Sequence, residues 1–223
     1  MTLHVYYGHE DRVEAGSTAF VRSVVAHARS PIALHPISRQ IVDAPEGTNA
    51  FTYRRFLVPH WQHYVGWAIF VDGADMICRG DIAELMEHCD HYSAVQVVQH
   101  AYTTKHPRKY RGTPMEADNP DYPRKNWASV MLINCSHFAW RQITPEFVQR
   151  ADPMHLLQLR FIDDSRIGSI PLQWNWLVDE YGPEVNAKLL HYTAGIPGIP
   201  AHADAPMADE WRAQLAAANS ITG

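Results

Sequence analysis

Asp72 and Asp75 stand two residues apart, with Gly73 and Ala74 between them, directly after the apolar run Trp-Ala-Ile-Phe-Val at residues 67–71. The run reads as a buried strand, and the glycine lets the backbone turn sharply at its end. Both carboxylates can then face one object. In an open α/β sheet, ligands bind just beyond the carboxyl ends of the strands. Two hard oxygen ligands there suit Mg²⁺ or Mn²⁺, and such a cation commonly serves a phosphate. Asp and Gly are also ordinary turn residues. The local residues fit a cation site and a plain polar turn equally well.

The elements that must position these acids can be read from composition and periodicity. With 223 residues, 46% of them hydrophobic, the chain can bury a sizeable core, and it reads as a single domain over 1–223. A net charge of −5 argues against a nucleic-acid or membrane-surface binder, both of which want a basic face. Cys78, Cys89 and Cys135 form no spaced pair, which fits a reducing compartment. The first residues carry no secretory signal pattern, and no apolar stretch approaches the roughly 18 residues of a membrane span, so a cytoplasmic location without a transmembrane segment is expected.

Residues 3–7 read as a strand, 12–29 as a helix with apolar residues at helical spacing, and 32–35 as a second strand. That order implies a parallel pair with a crossover helix. Residues 38–50 read as loop. Residues 51–61 read as a helix stopped near Pro59. A short helix beginning near Asp81, strands at 94–98, 129–133 and 188–192, a helix from Pro145 capped by Thr144, and a C-terminal helix within 206–223 complete the pattern. Residues 100–126 carry four prolines and almost no aliphatic side chains, and read as an irregular loop, of the kind that is functional or mobile. The alternation of strands and helices predicts an α/β sandwich around a mostly parallel sheet.

Several segments together resemble the family 8-type glycosyltransferases, whose single-domain, Rossmann-like GT-A fold binds nucleotide sugars. The resemblance spans most of the chain. It rests on Gly8-His9-Glu10, the run from Thr52 through Arg54-Arg55 to Pro59, Phe70-Val71-Asp72-Gly73-Ala74-Asp75, Val130-Met131-Leu132-Ile133-Asn134, Phe161-Ile162-Asp163-Asp164, Leu172-Gln173-Trp174-Asn175 and Leu190-His191-Tyr192-Thr193-Ala194-Gly195. It implies that Asp72 and Asp75 are metal ligands with His191 as the third, a set suited to Mn²⁺ (or Mg²⁺). It implies donor contacts from Gly8, Glu10, Arg55, Asn126, Trp174 and Gly195. Asp163 and Asp164 fall where the family holds the transferred sugar, so the resemblance makes them the catalytic acids, stabilising oxocarbenium charge or attacking the anomeric carbon. Each has an ordinary reading too: a buried histidine, solvated arginines, turn residues, a helix-start acid pair, a core tryptophan.

The chain departs from the family at two places. Trp127 falls where the family has an asparagine, so Asn126 serves only with a one-residue shift. The loop after His191 reads Ile-Pro-Gly-Ile-Pro and lacks the family's diphosphate-binding lysine. The concentrated positive charge lies instead at 105–111 and 122–125, readable as a solvated loop or as a patch that steers an anionic acceptor. The expected activity is metal-dependent transfer of a hexose-type sugar from a nucleotide sugar, most simply a UDP-sugar, to a hydroxyl on a glycan, lipid or protein acceptor, with retention. Two alternatives are a non-catalytic nucleotide- or glycan-binding protein that keeps the fold, and nucleotidyl transfer, which would want a Gly- and Lys-rich phosphate loop near the N-terminus.

Overall fold

A computed structural model describes residues 2–39 and 47–220; most of the expected 38–50 loop and the last three residues of the 206–223 segment lie outside the described residues. In chain order the elements are β1 (Leu3–Gly8), α1 (Glu14–His27), β2 (Ile32–Ile37), α2 (Val58–Trp61), β3 (Trp67–Val71), β4 (Met76–Cys78), β5 (Val95–Val97), β6 (Arg108–Lys109), β7 (Ala117–Asp118) and β8 (Val130–Asn134). They continue with α3 (Pro145–Arg150), α4 (Pro153–Leu157), β9 (Ile167–Ser169), β10 (Trp176–Leu177), α5 (Val178–Tyr181), β11 (Leu189–His191) and α6 (Ala208–Asn219).

The main sheet has six strands in the order β2-β1-β3-β8-β5-β9. Strand β8 pairs antiparallel with both neighbours, while the pairs β1–β2, β1–β3 and β5–β9 are parallel, so five of the six strands share one direction. Strands β3 and β8 sit in the middle, and apart from half-buried Trp67 every residue in them is buried. That burial on both faces is why they read as unbroken apolar runs rather than alternating ones. Pro36 is accommodated in β2 because β2 is an edge strand, where a missing N–H costs no ladder bond. Helix α1 packs against α6 and β4.

Local signals set several boundaries. Thr144 accepts from the Phe147 amide with Pro145 at the first position of α3, and Asp81 accepts from the Ala83 amide ahead of the 3-10 segment Ile82–His88. One boundary differs from expectation. Pro59 does not stop the 51–61 helix; it lies in the first turn of α2, after the 3-10 segment Arg54–Leu57, where its absent N–H is not needed. The second sheet, β10-β11-β4, contains the strand expected at 188–192, but its pairing was not anticipated, because β4 and β10 are only three and two residues long and carry no readable period. Residues 100–126 are also more ordered than expected. Strands β6 and β7 pair as a small antiparallel ribbon, and Glu180 accepts hydrogen bonds from Thr104 Oγ1 (2.5 Å) and the Lys105 amide (2.9 Å). Among the described residues, no helix is long and apolar enough to cross a membrane.

Candidate active site

The carboxyl end of β3 runs straight into the two acids. Gly73 adopts φ +64, and an added Cβ would lie 2.9 Å from the Gly8 carbonyl oxygen, so a side chain there meets both strain and backbone. The turn closes with Met76 N–H donating to Gly73 O at 3.0 Å, and the chain enters β4. Strand β4 pairs antiparallel with β11, with Met76 opposite His191, and Tyr192 N–H donates to the Asp75 carbonyl. The small second sheet is therefore what carries His191, far away in sequence, to the end of β3. One ligand atom from each of Asp72, Asp75 and His191 lies within 4.8 Å of the others. The three residues are 7%, 3% and 2% exposed.

The surroundings orient each group. Asn175, fully buried, donates through Nδ2 to Asn126 O (3.2 Å), which fixes its amide so that Oδ1 faces His191 Nδ1 at 2.8 Å. His191 thus donates through Nδ1 and presents Nε2 to Asp75 Oδ1 at 3.4 Å and Asp72 Oδ2 at 3.8 Å. A carbonyl oxygen on the far nitrogen is the usual companion of a metal-binding imidazole. Asp72 Oδ1 is 2.6 Å from Arg55 Nη1, but this ion pair lacks hydrogen-bond geometry, and Asp75 Oδ1 has no donor either. Two buried carboxylates and an imidazole converging in this way offer the oxygen and nitrogen ligands that a divalent cation takes.

The charges are uneven. Burial pushes Asp72 up to about 6, although Arg55 works against it. Burial also opposes ionisation of Asp75, but His191 and the Tyr110 hydroxyl outweigh it and hold Asp75 below the usual range. Burial works against charge on His191, yet the neighbouring Asp75 leaves its pKa raised.

These groups floor a cleft of about 230 Å³, walled by Arg55, Asn49, Ser129, Asn126, Thr193 and much of the 100–126 segment. Among the described residues, eight buried side-chain atoms lack a hydrogen-bond partner, and four of them belong to residues lining the cleft: Asn49 Oδ1, Asp72 Oδ1, Asp75 Oδ1 and Thr193 Oγ1. Orphaned polar atoms are rare in protein interiors, and their gathering in one cleft suits a polar ligand. Lys109, from the β6–β7 ribbon, is half-buried and lines the cleft. Burial pulls its pKa below the ordinary lysine value, with the Asp75 and Asp72 carboxylates acting the other way, and its ammonium lies 5.9 Å from the centre of the Tyr110 ring. A cation so placed can meet an anionic ligand above the two acids. Lys125 also lines the cleft, tied to the Asn119 and Pro120 carbonyls. The basic loop is therefore not simply solvated: two of its lysines face the cleft where no lysine follows His191.

Of the residues picked out by sequence, Asp72, Asp75, His191, Arg55 and Asn126 come together at the cleft. Six do not line it. Asp163 and Asp164 are exposed; Asp163 caps its own turn by accepting from Ser165 N and Oγ, and Asp164 pairs with Arg124 at 2.6 Å. In this structure they therefore stand outside the cleft, Asp163 as the cap of its own turn and Asp164 as the partner of Arg124. Glu10 is buried but fully engaged, with Arg12 Nε at 2.6 Å and the Ala50 amide at 2.8 Å, so it anchors the Asn49–Ala50 wall rather than facing a ligand. Gly8 lies against the Asp72 carbonyl and the Phe51 ring. Trp174 is buried in the core with Ile82 and Leu85, and Gly195 shapes the turn beside His202. Sequence reasoning missed Asn49, Lys109, Tyr110 and Asn175; for the middle two, the one usable signal was positive charge concentrated in a segment that also holds aromatics and prolines.

Two results are expected here. Asn175→Ala removes the acceptor that orients His191 and should weaken Mn²⁺ binding about 10–100-fold, measured by titration of the purified protein; unchanged affinity would show that Asn175 serves packing alone. His100, 6% exposed, has Nδ1 on Tyr181 OH at 2.9 Å while Nε2 has no partner. Burial pushes its pKa down to about 3 from 6.5, with His191 adding to the effect. The unfolded chain binds this proton near 6.5 and the folded one only near 3, so stability is lost as pH falls through that window. Urea unfolding of His100→Gln should show a smaller loss between neutral and acid pH than wild type; equal losses would exclude His100 as a source of acid sensitivity.

A scan against protein-family models finds no match. Solved structures share the fold: the WbbM bifunctional glycosyltransferase in its apo form (TM-score 0.66, 15% identity), glycosyltransferase GlyE of Streptococcus pneumoniae TIGR4 (0.65, 15%) and galactosyltransferase LgtC with donor and acceptor sugar analogs (0.62, 14%). Each alignment covers 96% of this chain, but the chain spans only 50% of the WbbM chain and 60% of GlyE, against 96% of LgtC. At these identities the likeness shows the fold, which is the GT-A architecture of glycosyltransferases. A closer relative is Protein CDI of Arabidopsis thaliana, 34% identical over 224 residues, covering 94% of this chain and 84% of that protein. The chain belongs to the family of Protein CDI.

Proposed function

We propose that this protein is a metal-dependent, family 8-type glycosyltransferase that moves a hexose-type sugar from a nucleotide sugar, most simply a UDP-sugar, to a hydroxyl acceptor with retention. The observation that carries the reading is the convergence of Asp72, Asp75 and His191 beneath a cleft that Lys109 also lines. Held by these three residues, a divalent cation would neutralise charge building on the diphosphate leaving group. Lys109 lies where it can bind a second face of that diphosphate, the task the family gives to a lysine after His191. Arg55 is held by Thr52 O and Ala128 O and by the Phe51 and Phe70 rings, so it fixes the direction of Asp72. Asn49, Asn126 and Thr193 offer amide and hydroxyl groups to ribose or sugar hydroxyls. The acceptor is a hydroxyl on a glycan, lipid or protein. A glycan is favoured by analogy with LgtC, which was solved with donor and acceptor sugar analogs.

The test is thermal stabilisation of the purified protein by a panel of nucleoside diphosphates and nucleotide sugars, with Mn²⁺ and with chelator. A ligand that binds only the folded state raises the melting temperature by mass action. The reading expects a Mn²⁺-dependent shift with one nucleotide, uridine first. No shift with any nucleotide would overturn the donor assignment. Binding without transfer to any acceptor would favour the non-catalytic alternative, a reading that gains weight because Asp163 and Asp164 stand away from the cleft.

A further inference from the structure

Tyr110 is a bulky residue in the left-handed region, at φ +52, and it is 2% exposed. That conformation costs free energy for any side chain larger than glycine and persists only where the surroundings impose it. Here they do so from three sides. Tyr110 N–H donates to Ala194 O at 2.6 Å, its carbonyl accepts from Thr113 Oγ1 at 2.8 Å, and its hydroxyl donates to Asp75 Oδ2 at 3.0 Å. With Oδ2 engaged, Oδ1 is the Asp75 oxygen left without a donor, and it is the one facing His191 Nε2. The residue before it is Lys109, so one short stretch of chain presents a phenol to a candidate metal ligand and an ammonium to the cleft. The ribbon is fastened away from the site: Glu180 and Asp179 of α5 hold Thr104, Lys105 and His106, and Asp179 Oδ2 also accepts from the Ala194 amide at 3.0 Å.

We propose that Tyr110 is a positioning residue for Asp75: its hydroxyl turns the carboxylate so that one oxygen is presented to the cation, and the same contact seats Lys109 over the anionic ligand, coupling cation binding to diphosphate binding. This rests on the metal and nucleotide reading above. The hydroxyl donates to Asp75 Oδ2 in this structure, so it selects the presenting oxygen in advance and spares the site that reorganisation on binding. The coupling is reciprocal: whatever factor Mn²⁺ adds to nucleotide affinity, the nucleotide adds to Mn²⁺ affinity.

The experiment titrates Mn²⁺ alone, by the electron paramagnetic resonance signal of the free ion, into wild type, Tyr110→Phe, Asp75→Asn and the double variant, and then titrates UDP with Mn²⁺ and with chelator. Phenylalanine keeps the ring and its packing, so Tyr110→Phe is expected to fold. Its Mn²⁺ affinity should fall about 10–100-fold, and the factor by which Mn²⁺ strengthens UDP binding should shrink. In the Asp75→Asn background, removing the hydroxyl should weaken Mn²⁺ binding no further, because the two act as one unit; a purely structural role would weaken both backgrounds alike and overturn the proposal. Equal Mn²⁺ affinity in wild type and Tyr110→Phe would also overturn it while leaving the metal site standing. No Mn²⁺ binding by wild type would instead remove the metal reading itself, and this inference with it.

Discussion

Asp72→Asn should abolish the Mn²⁺-dependent response to nucleotide and lower sugar transfer by about a hundredfold or more, the scale of losing a cation's share of transition-state stabilisation. The same variant should not be less stable than wild type at pH 8 without metal. Burial holds the Asp72 pKa at about 6 despite Arg55, so the charged carboxylate is an uncomfortable tenant of the folded protein. The unfolded chain loses this proton near 3.8 and the folded protein near about 6, so wild-type stability falls as pH rises through that window. Asparagine is neutral throughout and lacks the loss. Arg55 keeps its bonds to Thr52 O and Ala128 O without the acid. Metal titration, transfer assay and urea unfolding at pH 8 together decide the matter. A marked drop in stability with an unaltered Mn²⁺ response would make Asp72 a structural partner of Arg55 and nothing more.

Gly16→Ala should cost about 3 kcal/mol, the upper end of ordinary overpacking, and should also weaken Mn²⁺ binding although Gly16 touches no candidate ligand. Gly16 sits in the first turns of α1, and a Cβ added there would lie 1.8 Å from the Ala74 carbonyl oxygen. Ala74 is the residue between Gly73 and Asp75, so the obstacle is the backbone of the turn that spaces the two acids. A flexible side chain could swing away from a methyl group, but a peptide carbonyl cannot. Either α1 withdraws from the turn, opening its packing on β4 and α6, or the turn shifts and the acids lose their mutual distance. Chemical denaturation and Mn²⁺ titration would show both effects. A variant as stable as wild type with unchanged metal affinity would mean that the helix and the turn are not in the close contact described.

The relation of the α1 glycine to the acids marks where reading by residue type ends. The strand that delivers Asp72, the sharp glycine turn after it, the Thr144 and Asp81 caps, and the crossover from β1 through α1 to β2 were all legible, because each depends on neighbours a few residues apart: apolar continuity, one positive-φ position, one side-chain oxygen near an amide. The metal-ligand pattern was legible for Asp72 and Asp75 as residues, and for His191 only by resemblance. Nothing near His191 announces that β11 will lie antiparallel to β4.

What tertiary structure decided was which polar groups are already spoken for. Asp163 and Asp164 look like an active acid pair in sequence, yet the first is consumed by its own turn and the second by Arg124, forty residues away in the chain. Glu10 is likewise consumed by Arg12 and Ala50. Lys109 and Tyr110 look like part of a solvated basic loop, but the Glu180 contacts and the β6–β7 pairing press them onto Asp75 and into the cleft. A residue's type says which bonds it can make. Whether a carboxylate or ammonium remains free for a ligand depends on partners brought together across long stretches of chain and on how deeply burial excludes water, and neither is written in local spacing.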